Sequence, residues 1–472
     1  MRETKLFLAG TWEDGEGAAE IRSPWDGAPV SRVARAGPPT LERAAEAAAK
    51  AAPGMAALGA DRRAAILEAA RADLLARKEE VARSIQEEAG KPIALARGEV
   101  DRAGDTLLAA AHVARFPEVV ARDLSGFGSG AGRLALTKRV PLGPVLAITP
   151  FNFPLNLVAH KLAPAVAAGC PVVLKPASQT PSAALHLAAS LQRAGLPDGA
   201  LSVVPSRAQD AEALVTDRRF ALLTFTGSAE VGFALRRKAW DRRVALELGG
   251  NAAVIVEPDW PDLADAARRV ANAAFAWAGQ SCISVQRVFV HRAVADRFRE
   301  HLVAAAEAFP TGDPAAAATL CGPMIDGANR DRVLEWIEAG RVAGGALLSG
   351  GTADGPVVRP TLLAEVPDDQ PFVADELFGP GAALSTYSSF EEALARANAS
   401  RYGLQAGVFT TDVAKVRRAW DVLEVGGIVQ GDVPTWRSDP MPYGGVKSSG
   451  VGREGPASAF LEMTEERMLV LR

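Results

Sequence analysis

Val145-Leu146-Ala147-Ile148-Thr149-Pro150-Phe151-Asn152-Phe153-Pro154, then Leu155–Ala168, then Pro171-Val172-Val173-Leu174-Lys175-Pro176, is the stretch on which the fold turns. Between Leu142 and Leu174 the only formal charge is Lys161, so the segment could be mistaken for a membrane span. Pro144, Pro150, Pro154, Pro164 and Pro171 divide it instead into strand-sized and helix-sized pieces. A buried strand, a helix and a second buried strand account for it. Downstream the rhythm repeats: Leu201–Val204 and Leu222–Phe225 read as strands, and Ser182–Ala194 and Ala208–Thr216 as helices. This alternation predicts a doubly wound parallel sheet with a nucleotide site at its carboxyl edge.

A second series starts after Glu247: strand Ala253–Val256, helix Asp262–Ala276, strand Arg287–Val290 and helix Val294–Ala308, with the rhythm resuming from Gly350 to about Gly431. Upstream, a short β start precedes helical patterns over Leu41–Ala57, Asp61–Ala89 and Arg97–Val120. Arg133–Val140 alternates as a half-exposed strand after the glycine-rich loop Ser125–Gly132. Met468–Leu471 ends the chain as a strand suited to pair with Arg133–Val140 or with a neighbouring subunit. The predicted fold class is α/β, with two doubly wound Rossmann-like domains and a small β arm. The expected boundaries are 1–122 and 141–247 for a cofactor domain, 248–431 for a catalytic domain, 123–140 and 454–472 for the arm, and 432–453 for a loop closing the site.

At 472 residues the chain is too long for one simple core. Apolar residues at 48% and charged residues at 23% are ordinary for a soluble enzyme. A net charge of −4 gives no reason to expect nucleic acid or a membrane as partner. Cys170, Cys282 and Cys321 make no disulfide framework and no CxxC metal spacing, which suits a reducing cytoplasm. Three cysteines and five histidines show no clustered ligands, so no metal is expected and a zinc-dependent dehydrogenase is disfavoured. The apolar run after Met1 is too short for a signal peptide.

Chemistry concentrates in a few segments. Cys282, in Gly279-Gln280-Ser281-Cys282-Ile283, pairs in principle with Glu247, in Glu247-Leu248-Gly249-Gly250. A cysteine attacks as thiolate, and a nearby carboxylate can deprotonate it or activate water. Leu223-Thr224-Phe225-Thr226-Gly227-Ser228 before Ala229-Glu230-Val231-Gly232 reads as strand, glycine turn and helix. There a phosphate could approach Gly227 at a helix N-terminus, although the GxGxxG fingerprint is absent. Asn152 sits where its amide could steady an oxyanion or cap the next helix. Lys175 ends a buried strand, placed for a ribose or phosphate or simply solvated. Asp375-Glu376-Leu377-Phe378-Gly379-Pro380 and Pro442–Glu454 are glycine-rich loops carrying charged and aromatic residues.

Taken in order, from Trp12 to Gly452-Arg453-Glu454-Gly455, these segments resemble the aldehyde dehydrogenase superfamily. The resemblance implies that Cys282 attacks an aldehyde, with Asn152 and the Cys282 N–H holding the oxyanion of a thiohemiacetal. Hydride transfer to NAD or NADP then leaves a thioester, which water activated by Glu247 hydrolyses. Lys161 and Glu454 match a proton-relay pair. Thr149, Pro150, Phe151, Lys175, Ser178, Gly227, Ser228, Gly249, Glu376 and Phe378 match cofactor-binding positions, with Glu376 and Phe378 at the nicotinamide ribose and ring. Phe153, His160, Ser281, Ile283, Arg437 and Tyr443 fall on the substrate side, as does Arg102, which matches an arginine of the non-phosphorylating glyceraldehyde-3-phosphate branch. Two guanidinium groups at one tunnel imply a small polar or anionic aldehyde: lactaldehyde, a semialdehyde, or a phosphorylated or sulfonated short chain. The alternative for both arginines is surface ion pairing. A homodimer or homotetramer joined through the arm is implied.

Two rivals differ in kind. A CoA-acylating semialdehyde dehydrogenase would share Cys282, but Glu247 argues against it. A non-redox thiol esterase or binding protein on the same scaffold is opposed by the joint presence of Asn152, Glu247, Cys282 and Glu376.

Ser178 stands where members that strongly prefer NAD often carry Glu. A carboxylate there would repel a 2′-phosphate, and Ser178 leaves Lys175 free to pair with one. NADP is therefore expected to be accepted and even preferred. The ratio of kcat/KM for the two cofactors tests this, and Ser178→Glu should move that ratio toward NAD by about tenfold or more.

Overall fold

The computed structural model describes residues 1–472. Five parallel strands form the centre of the first sheet, in the order Arg243–Glu247, Leu222–Thr226, Val145–Ile148, Val172–Lys175, Leu201–Val203. Numbered along the chain this is 5-4-1-2-3, the Rossmann order read from the other edge. Leu6–Leu8 and Thr11–Glu13 extend one edge antiparallel, and Gly450–Val451 closes the other. The strand order reverses between Val145–Ile148 and Leu222–Thr226, so the carboxyl ends of these two strands open a crevice. Thr149 and Pro150 follow the first, and Gly227 follows the second.

The helix Asn156–Ala168 crosses behind this sheet with all of its residues buried. Pro164 lies inside that helix, whose bounds fall within a residue of the expected Leu155–Ala168. Asp61–Ala89 is two helices, Ala60–Ala76 and Lys78–Ala89, joined at Arg77. Arg97–Val120 becomes the helix Ile93–Arg115 and, after a break, the strand Val119–Asp123. A β-branched pair at Val119 and Val120 suits a strand once a partner strand is available.

After Glu247 the chain passes through Leu248–Asn251 into the second sheet. Its order is Ala346–Ser349, Thr361–Ala364, Gly381–Tyr387, Val285–His291, Ala252–Val256, Gln405–Phe409, Gly427–Gln430, parallel except for the first strand. The helix Gly327–Val342, absent from the sequence reading, also belongs to this half. Only Val333, Ile337 and Gly340 are buried, and the apolar residues Leu334, Trp336 and Val342 lie off that line, so periodicity gave little signal.

The arm is a three-stranded antiparallel sheet, Thr464–Leu471, Leu134–Pro141 and Val119–Asp123. The terminal strand thus pairs within its own chain, in register from Thr464 opposite Pro141 to Leu471 opposite Leu134. The sheet reaches back to Val119, and Pro456–Glu462, expected with the arm, is a helix. No helix is long and apolar enough to cross a membrane.

One buried ion pair ties the first helices to the loop around Asn152. Lys91 Nζ lies 2.5 Å from Glu99 Oε2, both side chains almost fully buried. The other Glu99 oxygen accepts from the Leu155 and Asn156 amides at 2.9 and 3.1 Å, capping the Asn156–Ala168 helix. Lys91 also donates to the Asn152 carbonyl at 3.0 Å and stands 3.6 Å from the Phe153 ring centre. Removing one member strands the other as a buried charge, a loss of about 3–5 kcal/mol. Glu99→Ala should therefore lower the thermal midpoint by several degrees and reduce turnover, as calorimetry and steady-state kinetics would show.

Candidate active site

Where the two halves meet, a cavity of about 300 Å³ opens beside the crevice. From the first half come Pro150, Phe151, Asn152, Phe153, Gly227, Ser228, Glu247 and Gly249. The second half adds Ser281, Cys282, Ile283, Glu376 and Phe378, and Arg437, Tyr443 and Glu454 come from the last loops. Arg102 reaches the same wall from the Ile93–Arg115 helix.

Cys282 is presented by an unusual turn. Trp277, Ala278 and Gly279 all have left-handed φ, at 56°, 50° and 64°. Such conformations cost non-glycine residues about 1–3 kcal/mol each, so surrounding bonds must hold them. Trp277 N–H donates to the Leu320 carbonyl at 2.8 Å, and its indole donates to the Asn152 carbonyl at 2.9 Å. Gln280 Oε1 accepts from Ile325 N–H at 2.9 Å. The Asn152 amide donates to the Gln280 carbonyl at 2.9 Å, so it braces the cysteine turn and does not cap the helix.

Burial sets the resting charges. It pushes the Cys282 thiol up to about 12, against which the Tyr443 hydroxyl, 2.9 Å from Sγ, works in the opposite sense. Burial and the nearby Glu454 charge hold the Glu247 carboxyl well above the usual range. Glu247 Oε2 is buried without a partner. Burial also opposes charge on Glu454, but His160, Arg437 and Lys161 together hold it below the usual range. Two neighbouring carboxyls thus have their proton affinities driven apart, that of Glu247 upward and that of Glu454 downward. Glu376 is raised by burial to about 7, and its Oε1 accepts from Gly250 N–H at 2.9 Å. A Cβ on Gly249 would stand 2.1 Å from Glu376 Oε2, so a side chain here would displace the Glu376 carboxyl.

Lys161 and His160 do not line the main cavity. They border a void of about 20 Å³, room for one or two waters, that also touches Glu247 and Glu454. Lys161 Nζ donates to Thr224 Oγ1 at 3.0 Å. Thr149, Lys175 and Ser178 also lie off the main wall. Thr149 and Lys175 are buried at neighbouring strand ends, and Ser178 is exposed. Burial depresses the Lys175 ammonium, whose bond goes to the Pro176 carbonyl at 3.3 Å.

Both arginines line the cavity, and each is already engaged in an ion pair there. Arg102 forks onto Asp439 at 3.0 and 2.9 Å. Arg437 Nη2 donates to Glu454 Oε1 at 2.9 Å, and its guanidinium lies 3.8 Å from the Tyr443 ring centre. Asp439 is 4% exposed and also accepts from Asn156 at 3.0 Å and faces His160 Nε2 at 2.8 Å. Sequence reasoning missed Asp439, and it missed Asn156, Thr226, Asn329 and Arg332 on the cavity wall. Asn329 and Arg332 share one turn of the overlooked Gly327–Val342 helix, and Asp439 stands alone in its loop, so neither had a motif to announce it. Cys321 is fully buried in an apolar cluster, as a packing cysteine should be.

Fold and cavity together define a two-sheet α/β dehydrogenase with a cysteine on its cavity wall. Residues 12–469 match the aldehyde dehydrogenase family. The 3-sulfolactaldehyde dehydrogenase of Priestia aryabhattai is 41% identical over 472 residues, covering 100% of this chain and 98% of that protein. Aldehyde dehydrogenase 21 from Physcomitrella patens, solved with its reaction product succinate, superposes with a TM-score of 0.97 at 41% identity, covering 100% of this chain and 98% of that one. The NADP-dependent glyceraldehyde-3-phosphate dehydrogenase of Bacillus halodurans C-125, solved with NADP, gives 0.97 at 32% identity with both chains fully covered. The chain belongs to the aldehyde dehydrogenase family, and it is an oxidoreductase acting on the aldehyde group.

Proposed function

We propose that the protein oxidises a short aldehyde with an anionic tail to its carboxylic acid, with NADP or NAD as cofactor. The observation that carries the reading is the cavity itself, which is lined by Cys282 and Glu247 together with two arginines, Arg102 and Arg437. Relatives named for sulfolactaldehyde, glyceraldehyde-3-phosphate and the product succinate all handle short chains with an anionic group. A carboxylate, sulfonate or phosphate tail would compete with Asp439 for Arg102 and with Glu454 for Arg437, in a setting already built for bidentate pairing.

The residues present suit a dinucleotide. Thr226 Oγ1 is buried without a partner beside the crevice. The Ala229–Lys238 helix opens there, with Ser228 as its N-cap and Gly227 just before it. Thr149, Pro150, Phe151, Lys175, Ser178, Gly249, Glu376 and Phe378 would hold the remainder. When bound, the nicotinamide supplies the hydride acceptor.

Cys282 forms the carbon–sulfur bond and retains the acyl group as a thioester. The Asn152 amide and the Cys282 N–H would steady the oxyanion, which requires the amide to turn from the Gln280 carbonyl. Glu247, once ionised, takes a proton from water as that water attacks the thioester. Its raised affinity makes it a stronger base and confines it to higher pH. Lys161 and Glu454, beside the water-sized void, give the proton a route away from the cavity. Residues 432–453 close over the site, and the arm sheet joins copies of the chain into a dimer or tetramer. Cys282→Ala should abolish turnover over a panel of short aldehydes.

Glu247→Gln should lower kcat by about 10²–10⁴-fold while leaving a stoichiometric burst of reduced cofactor. In wild type, kcat should fall as pH drops below a midpoint above the usual carboxylate range, because the protonated carboxyl cannot act as base. Arg102→Ala and Arg437→Ala should each raise KM for anionic aldehydes by about 10–100-fold, the worth of a charged hydrogen bond. An uncharged aldehyde of equal length should be far less affected. Unchanged KM values for anionic substrates would refute the anionic-tail reading.

A further inference from the structure

The hydroxyl of Tyr443 has one hydrogen-bond partner, Cys282 Sγ at 2.9 Å. The ring is 5% exposed, and its one cationic neighbour is the Arg437 guanidinium, stacked 3.8 Å from its centre. Arg437 is itself fixed, by Glu454 Oε1 at 2.9 Å. A cation over a phenol ring draws electron density from it, making the oxygen a poorer acceptor and the O–H a better donor. Either atom could donate in the contact between Tyr443 and the cysteine, and the stacked cation favours oxygen as donor to sulfur. Asn152, the other side-chain donor expected near the nucleophile, is committed to the Gln280 carbonyl.

We propose that Tyr443 is a further catalytic residue: its hydroxyl, polarised by the stacked Arg437, donates a hydrogen bond to the Cys282 thiolate and holds the sulfur for attack. The inference rests on Cys282 being the nucleophile. The thiol proton leaves to solvent, and Tyr443 keeps its own. As sulfur bonds to the carbonyl carbon, the carbonyl π pair moves to oxygen, and the Tyr443 hydroxyl then stands free for that oxyanion. Arg437 links this donor to the substrate side. An anionic tail that engages Arg437 reduces the positive field over the Tyr443 ring, so tail recognition and thiolate stability share one guanidinium. In the resting enzyme this bond is the first influence on the Cys282 thiol after burial, and it acts to lower its proton affinity.

Alkylation of Cys282 by iodoacetamide tests the proposal without any aldehyde. The labelled residue is identified by peptide mass and checked against Cys282→Ala, and Cys170 and Cys321 are both fully buried. Below the thiol midpoint the rate follows the thiolate fraction. Tyr443→Phe keeps the ring and its stack, and it should slow alkylation about tenfold at every pH between about 7.5 and 10, the equivalent of one pH unit. A packing role predicts the opposite, because removing the hydroxyl uncovers the sulfur and speeds labelling. Placing 3-fluorotyrosine at 443, a stronger donor, should accelerate labelling above wild type. The single-turnover acylation rate should fall in Tyr443→Phe by at least the ratio seen for alkylation. Equal or faster alkylation in Tyr443→Phe overturns the proposal even if the aldehyde reading stands. Slower alkylation in a protein that oxidises no aldehyde would support the role of Tyr443 while defeating the reading of the substrate.

Discussion

Everything at the cavity depends on how closely two backbones pass at the seam between the sheets. Gly249 and Gly250 join the strand that ends in Glu247 to the strand that begins at Ala252. A Cβ on Gly250 would stand 2.1 Å from the Cys282 carbonyl oxygen, and one on Gly249 equally close to Glu376 Oε2. At Gly250 the facing backbone leaves no room for a side chain, and at Gly249 a side chain would push the Glu376 carboxyl aside. The base strand, the cysteine turn and the Glu376 loop converge because this link has no bulk. The Gly250 N–H bond to Glu376 and the two Asn251 amide bonds to the Val373 and Asp375 carbonyls then lock the approach.

Around that seam, charge is buried in pairs and chains with few free ends. Lys91 with Glu99, Arg437 with Glu454, and Asp439 with Arg102, Asn156 and His160 each satisfy groups that would be costly alone. The exceptions are informative. Glu247 Oε2, Thr226 Oγ1 and His160 Nδ1 are among the buried atoms without partners, and these three lie beside the cavity or the water-sized void. A ligand or water entering there can complete such atoms. The left-handed run through Trp277, Ala278 and Gly279 is local strain held by bonds from two separate parts of the chain, Asn152 and the segment from Leu320 to Ile325.

The legible part of this protein follows from short-range rules. Apolar runs of strand length between helical patterns specify a parallel α/β sheet wherever they occur, and the edges of Val145–Ile148, Ala208–Thr216 and Leu222–Thr226 came out within a residue. Elements that misread did so where a non-local partner decides. Val119–Asp123 continues a helical pattern in sequence but becomes a strand because Leu134–Pro141 lies beside it. Gly327–Val342 is helical, but its apolar positions do not fall on one stripe.

The site divides along the same line. Cys282, Glu247, Asn152, Glu376 and the Gly227 turn lie in segments whose residue types carry chemistry on their own, and the amino-acid sequence alone was enough to single them out. What Arg102, Asp439, Arg437 and Tyr443 do was decided by tertiary structure. They sit on a helix and a loop separated by hundreds of residues, and a charge acquires meaning only from what stands within a few ångströms of it. That Arg102 is held by Asp439, that Arg437 lies on the Tyr443 ring, and that the Tyr443 hydroxyl reaches Cys282 are facts of three-dimensional distance. Electrostatic and hydrogen-bond energies fall off with that distance and not with separation along the chain, so no pattern in the sequence could record them.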